Sequence, residues 1–156
     1  MRPNRLIRRY VVAVGLATGV VVVDALTKRW ASIELQGNPI EIIPGFLTLT
    51  YTENAGAAFG LFKNAGPVLG IAAIVVTAAL AWSLRADRPG LEVVAFGLIM
   101  GGAVGNLIDR IFRGDGFLDG KVIDWVNLWW IPTFNVADAA ITVAVGLLLI
   151  HSWLNR

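Results

Sequence analysis

Four long apolar runs, separated by shorter polar ones, set the pattern of the chain. Tyr10 to Val23 carries no charge, and the run continues to Trp30 with Asp24, Lys28 and Arg29 in its last turns. Ala65 to Leu84 is likewise uncharged, and two further runs cover Val93 to Phe112 and Phe134 to Leu154. At 1.5 Å per residue, about 20 residues span the ~30 Å hydrocarbon core of a bilayer. The pattern predicts membrane helices at about 10–30, 65–84, 93–112 and 134–154. Loop 31–64 is broken by Gly37-Asn38-Pro39 and Pro44-Gly45, and its FLTLTY segment alternates as a half-exposed strand does. A small β-element on the membrane surface is expected there. Loop 113–133 is expected to hold a short amphipathic helix at about Val122 to Trp130. The fold class is an all-α integral membrane protein: one domain, four spans, a small β-element and one short helix outside the membrane. A basic start before an apolar run also describes a secretory signal peptide, but no small-x-small cleavage site follows Val23.

Composition narrows the classes of function. Hydrophobic residues make up 56% and charged residues 15%, with mean hydropathy +0.69, whereas a soluble domain carries about 25% charged residues. The absence of cysteine excludes disulfides, thiolate metal sites and cysteine nucleophiles. A single histidine, His151, argues against zinc and reads as an interfacial side chain. The net charge of +2 does not point to nucleic acid, because the basic residues are scattered among apolar spans.

Arg2, Arg5, Arg8 and Arg9 crowd the first span and favour a cytoplasmic N-terminus, and four crossings return the C-terminus to the same side. Trp82 and Trp153 then fall at the inner edge, with Trp30, Trp125, Trp129 and Trp130 at the outer one. This threading collects Asp24, Asn106, Asp109, Arg110, Asn135 and Asp138 at the outer end.

Asp24 and Lys28 stand i, i+4 on one helix face and favour an ion pair that neutralises both at the membrane edge. Gly97, Gly101 and Gly105 form a small-residue ridge for close helix approach, with Gly15 and Gly19 as a matching patch on the first helix. Asp109 continues that ridge and is expected to pack against a neighbouring helix. Arg110 suits either a structural carboxylate or an anionic lipid or carbonyl. Asn54, in TENAGAAFG, marks a turn. Asp124 and Asp138 are the sharpest pair. Two carboxylates in one low-dielectric site do not both ionise readily, so one keeps a proton while the other acts as base toward water. On spacing alone, a helix cap for Asp138 and plain exposure for Asp124 remain open.

The segments VVVDALTKRW, YTENAGAAFG, GGAVGNLIDRIF, KVIDWVN and FNVADAAI occur in order over nearly the whole chain. Together they resemble lipoprotein signal peptidase, the type II signal peptidase of bacteria. The resemblance implies a metal-independent, cofactor-free aspartic endopeptidase of the inner membrane. It would cleave prolipoproteins before their diacylglyceryl-cysteine, with its site at the outer face. By matching motif position, Asp124 and Asp138 are the catalytic pair. Asn54, Asn106, Arg110 and Asn135 line the site, and Asp24 and Lys28 support it. Membrane lipid, a monomeric state and inhibition by the cyclic peptide globomycin are further expectations. Ala55, Gly56, Ala57 and Ala58 would leave room for an extended peptide. The stretch IFRGDGFLDGK is longer and more polar than the family's compact linker, and Trp125 stands where phenylalanine is usual. The rival readings are a small proton- or ion-coupled transporter and a non-enzymatic scaffold. The first predicts midplane acids and pseudo-repeat halves. The second leaves two acids at one mouth without a reason.

Overall fold

The computed structural model describes residues 3–56 and 65–155; Ala57, Ala58 and Lys63 lie outside the described residues, as do Arg2 and Arg156. The elements in order are α1 (Pro3–Glu34), β1 (Ile40–Ile43), β2 (Leu47–Asn54), α2 (Gly66–Ser83), α3 (Gly90–Phe112), β3 (Val122–Leu128), β4 (Ile131–Phe134) and α4 (Val136–Leu154). All four helices are long and apolar enough to cross a membrane. Their outward faces carry exposed apolar side chains, among them Val11, Val22, Leu26, Val75 and Leu149. That is the face a bilayer solvates.

Helix α3 is the hub, packing on α1, α2 and α4. Its glycine ridge works as expected, but its partner differs. A Cβ on Gly97 would lie 2.8 Å from the Ala13 carbonyl, and one on Gly101 would lie 2.8 Å from that of Ala17. Gly15 and Gly19 have nothing within 4 Å of a Cβ position, so the expected Gly15/Gly19 patch faces away from α3. The alanine face of α1 receives the ridge, because Ala13 and Ala17 are one helical turn apart on the side turned inward.

At the end away from the sheet, Ala13, Leu84, Val93, Phe96 and Met100 form one core cluster. Tyr10 donates its hydroxyl to the Ala81 carbonyl (2.8 Å) there, and Arg9 reaches Ala86 and Asp87 across the α2–α3 turn. At the other end α1 runs past the expected limit at Trp30, for 32 residues in all. Its extension buries Ala31 and Leu35 against Ile123 of β3. The extra turn is stabilised by this tertiary burial, which the local pattern does not encode.

The four strands form an antiparallel meander in the order β1-β2-β3-β4. The alternating FLTLTY segment is β2, as expected, and Gly45 turns the hairpin at φ +69°. The expected short helix at Val122 to Trp130 is corrected: Val122–Leu128 is a strand, and Ile131–Phe134 is its hairpin partner. The physical reason is that β2 needs a second neighbour to satisfy its backbone, and β-branched Val122, Ile123 and Val126 suit that role. Pro132 is tolerated because β4 is an edge strand.

Candidate active site

Strand alternation places Asp124. Ile123 and Trp125 turn toward the α1 extension, while Val122 and Asp124 turn toward a cavity of about 750 Å³. The other carboxylate arrives from α4. Asn135 is the N-cap of that helix, accepting from the Asp138 backbone N–H (2.9 Å), and Asp138 Oδ2 accepts from the Asn135 N–H (3.3 Å). Asp138 therefore does serve as a capping residue. The cap uses only one of its oxygens, and Oδ1 faces Asn106 on α3.

Amide groups tie the two acids into one cluster. Asp124 Oδ1 accepts from Asn135 Nδ2 at 2.7 Å, and Oδ2 accepts from Asn54 Nδ2 at 3.0 Å. Asn106 Nδ2 donates to Asp138 Oδ1 at 2.8 Å, while Asn106 Oδ1 accepts from Asn135 Nδ2 at 3.0 Å. All four carboxylate oxygens thus accept from amide N–H groups. Among the described residues neither acid forms an ion pair. Burial pushes Asp124 up to about 7 and the Asp138 charge pushes the same way, while donation from Asn54 and Asn135 and the nearby Lys28 charge oppose it.

Behind the amides lies a buried ionic layer. Lys28 Nζ pairs with Asp24 at 2.6 Å and Asp109 at 2.8 Å, and donates to Asn106 Oδ1 at 3.0 Å. The Asp24–Lys28 pair expected from the i, i+4 spacing is present. Its other contacts come from tertiary structure: Asp24 Oδ1 accepts from the Ala137 N–H of α4 at 2.9 Å. Gly105 makes room for this, since a Cβ there would lie 2.8 Å from Asp24 Oδ2.

Asp109 was expected only to pack on a neighbouring helix. In fact it binds Lys28, Arg113 (2.7 Å) and the Ile123 N–H (3.3 Å), and so it fixes β3 beside the cluster. The signal that could have found it is charge balance, because one buried carboxylate continuing the ridge beside Asp24 and Lys28 needs a cation. Arg110 lines the cavity and donates to the Asn106 carbonyl at 3.2 Å, while its buried Nε has no partner among the described residues. Among the described residues it forms no ion pair with a carboxylate. Among the described residues, the side-chain partner of His151 is Asn155, at the far end of α4.

The cavity is walled by Leu69, Ala73 and Val76 of α2, by Ile99 and Ala103 of α3 and by Ile141 of α4, with the carboxylates at one end. It is an apolar slot with a polar head. Such a slot suits an apolar ligand with a polar end.

Comparison with known proteins agrees with this geometry. Residues 16–154 match the family model for signal peptidase II. The lipoprotein signal peptidase of Symbiobacterium thermophilum is 43% identical over 143 residues, covering 87% of this chain and 90% of that one. The Bifidobacterium longum lipoprotein signal peptidase is 41% identical over 148 residues, covering 94% and 81%. A bacterial membrane enzyme solved by the in meso method superposes with a TM-score of 0.81 at 30% identity, over 92% of this chain and 88% of that one. A second superposes at 0.76 and 32% identity. The chain belongs to the signal peptidase II family of membrane aspartic peptidases.

Proposed function

We propose that the chain removes the signal peptide from diacylglyceryl-modified prolipoproteins, with Asp124 and Asp138 as its catalytic dyad. The observation that carries this reading is a buried Asp124 and a half-buried Asp138, neither in an ion pair among the described residues, joined through Asn106 and Asn135 at an apolar slot. One proton shared by the pair lets one carboxylate take a proton from water as the other polarises the scissile carbonyl. Water oxygen bonds to the carbonyl carbon; the C–N bond then breaks as a proton passes to the leaving amine. The apparent pKa values belong to the pair, so the proton is not assigned to either acid.

The supporting residues take distinct roles. Asn54 and Asn135 orient Asp124, Asn106 orients Asp138, and Arg110 offers free N–H donors to a substrate carbonyl. Asp24 and Lys28 hold the layer behind. The signal helix lies in the slot between α2 and α4, with its lipidated cysteine at the polar head. A cyclic peptide such as globomycin competes for the same head. The enzyme works as a monomer in the cytoplasmic membrane, with both termini inside and the acids at the outer face, where its lipidated substrate waits.

The test is cleavage of a diacylglyceryl-modified prolipoprotein by purified protein in detergent, with EDTA present. Asp124→Asn and Asp138→Asn are each expected to lose about 10²–10⁴-fold in rate while keeping the wild-type thermal transition. Full activity in either folded variant would end the dyad assignment. A transporter would instead show proton flux in liposomes and no cleavage.

A further inference from the structure

Helix α2 forms one wall of the slot, yet it packs chiefly on α3. Its far end is pinned to α1 by the Tyr10 and Arg9 bonds around Ala81 and Ala86. Its near end meets the polar stretch between α3 and β3. Leu118 of that stretch is buried at 5% exposure and sits at φ +55°, a left-handed conformation that a leucine rarely adopts. Its side chain seats on α2: a Cβ on Gly70 would lie 2.9 Å from Leu118 Cδ1 and 3.1 Å from its Cβ. A Cβ on Gly66 would lie 2.9 Å from the Leu118 carbonyl. The loop is itself anchored, since Gly120 donates to the Arg110 carbonyl (3.1 Å), Gly116 donates to Asp119 (3.0 Å) and Arg113 pairs with Asp109. A strained, buried side chain on a tethered loop marks a position held for a purpose.

We propose that Leu118 is a positioning residue that straps the near end of α2 to the α3–β3 connection and thereby sets the width of the substrate slot. Gly66 and Gly70 form its seat. One turn along α2, Leu69 and Ala73 face the slot, so a shift of the Gly66–Gly70 face moves that wall. No hydrogen bond to Asp124 or Asp138 comes from α2; their donors lie on β2, α3 and at the start of α4. Loss of the strap is therefore expected to weaken substrate capture and leave the chemical step alone.

The inference rests on the peptidase reading for its kinetic arm only. Leu118→Gly removes the side chain while keeping the loop, because glycine is at home at positive φ; Leu118→Met supplies a conservative refill. The chain has no cysteine, so Val68→Cys on α2 and Val145→Cys on α4 can carry a spin-label pair. In Leu118→Gly the label distance distribution is expected to broaden at least twofold, and KM for the prolipoprotein to rise at least fivefold with kcat within twofold. Leu118→Met restores both. An unchanged distance distribution overturns the strap whatever the kinetics do, and so does a fall in kcat at constant KM. If wild-type protein cleaves nothing, the peptidase reading fails, and the distance measurement still decides the strap.

Discussion

Asn135 shows how much one side chain carries. It caps α4, bridges to Asn106 and donates to Asp124, so its loss acts on fold and site together. Asn135→Ala is expected to lower stability by about 0.5–2 kcal/mol, the range for a lost N-cap, measured as a lower Tm in detergent, and to slow cleavage as well. Asn54 separates the two effects, since it donates to Asp124 without capping a helix. Its N–H favours the charged carboxylate, so removing it raises the pKa further above about 7. The working dyad needs one proton, and activity falls as pH climbs through the upper pKa. Asn54→Ala is therefore expected to move the alkaline limb of kcat/KM to higher pH, and a limb moving to lower pH would contradict the assignment. Lys28→Met leaves buried Asp24 without a cation and Asp109 with Arg113 alone; a cost of about 3–5 kcal/mol is expected in thermal denaturation. The residue types of this layer were legible in the sequence. Lys28's bond to Asn106 was not, because it joins side chains 78 positions apart.

At the scale of elements, uninterrupted apolar runs located the four helices, since a bilayer demands such runs, but not the full length of α1. It misjudged Val122 to Trp130, where an aromatic segment reads as an interfacial helix until β2 supplies a partner edge. The glycine ridge was legible on α3, and its mate was not: Gly15 and Gly19 look equivalent to Ala13 and Ala17 until helix rotation is known. The two cases predict opposite outcomes. Gly101→Val places atoms against the Ala17 backbone and Val20, and overpacking of this kind costs about 1–3 kcal/mol. Gly15→Ala meets nothing within 4 Å and is expected to stay within about 0.5 kcal/mol of wild type. Equal thermal shifts in the two variants would contradict the observed α1–α3 packing.

Across the whole molecule, four crossings place both termini at one end and the carboxylates at the other. We propose that the termini's end is cytoplasmic, the side that the positive N-terminal segment favours. Single cysteines test this in a chain that has none of its own. In intact spheroplasts an impermeant maleimide is expected to label Glu41→Cys on exposed β1, and to label Asn4→Cys or Asn155→Cys only after permeabilisation. The reverse pattern would put the site on the wrong side for a lipidated precursor. The elongated α1 and the sheet docked on it build a second core at the carboxylate end, from Ala31, Leu35 and Ile123.

Local sequence alone determined the four spans, the β2 strand and the Asp24–Lys28 pair, because each depends on the pattern within one element. Tertiary structure decided the rest. It set which face of α1 meets the glycine ridge, paired β2 with a strand that lies two helices further along the chain, and seated Leu118 on α2. Asp124 is shifted for the same reason. Its neighbours Asn54, Asn135 and Asp138 come from β2 and the start of α4, and only folding removes the water that would otherwise hold its charge.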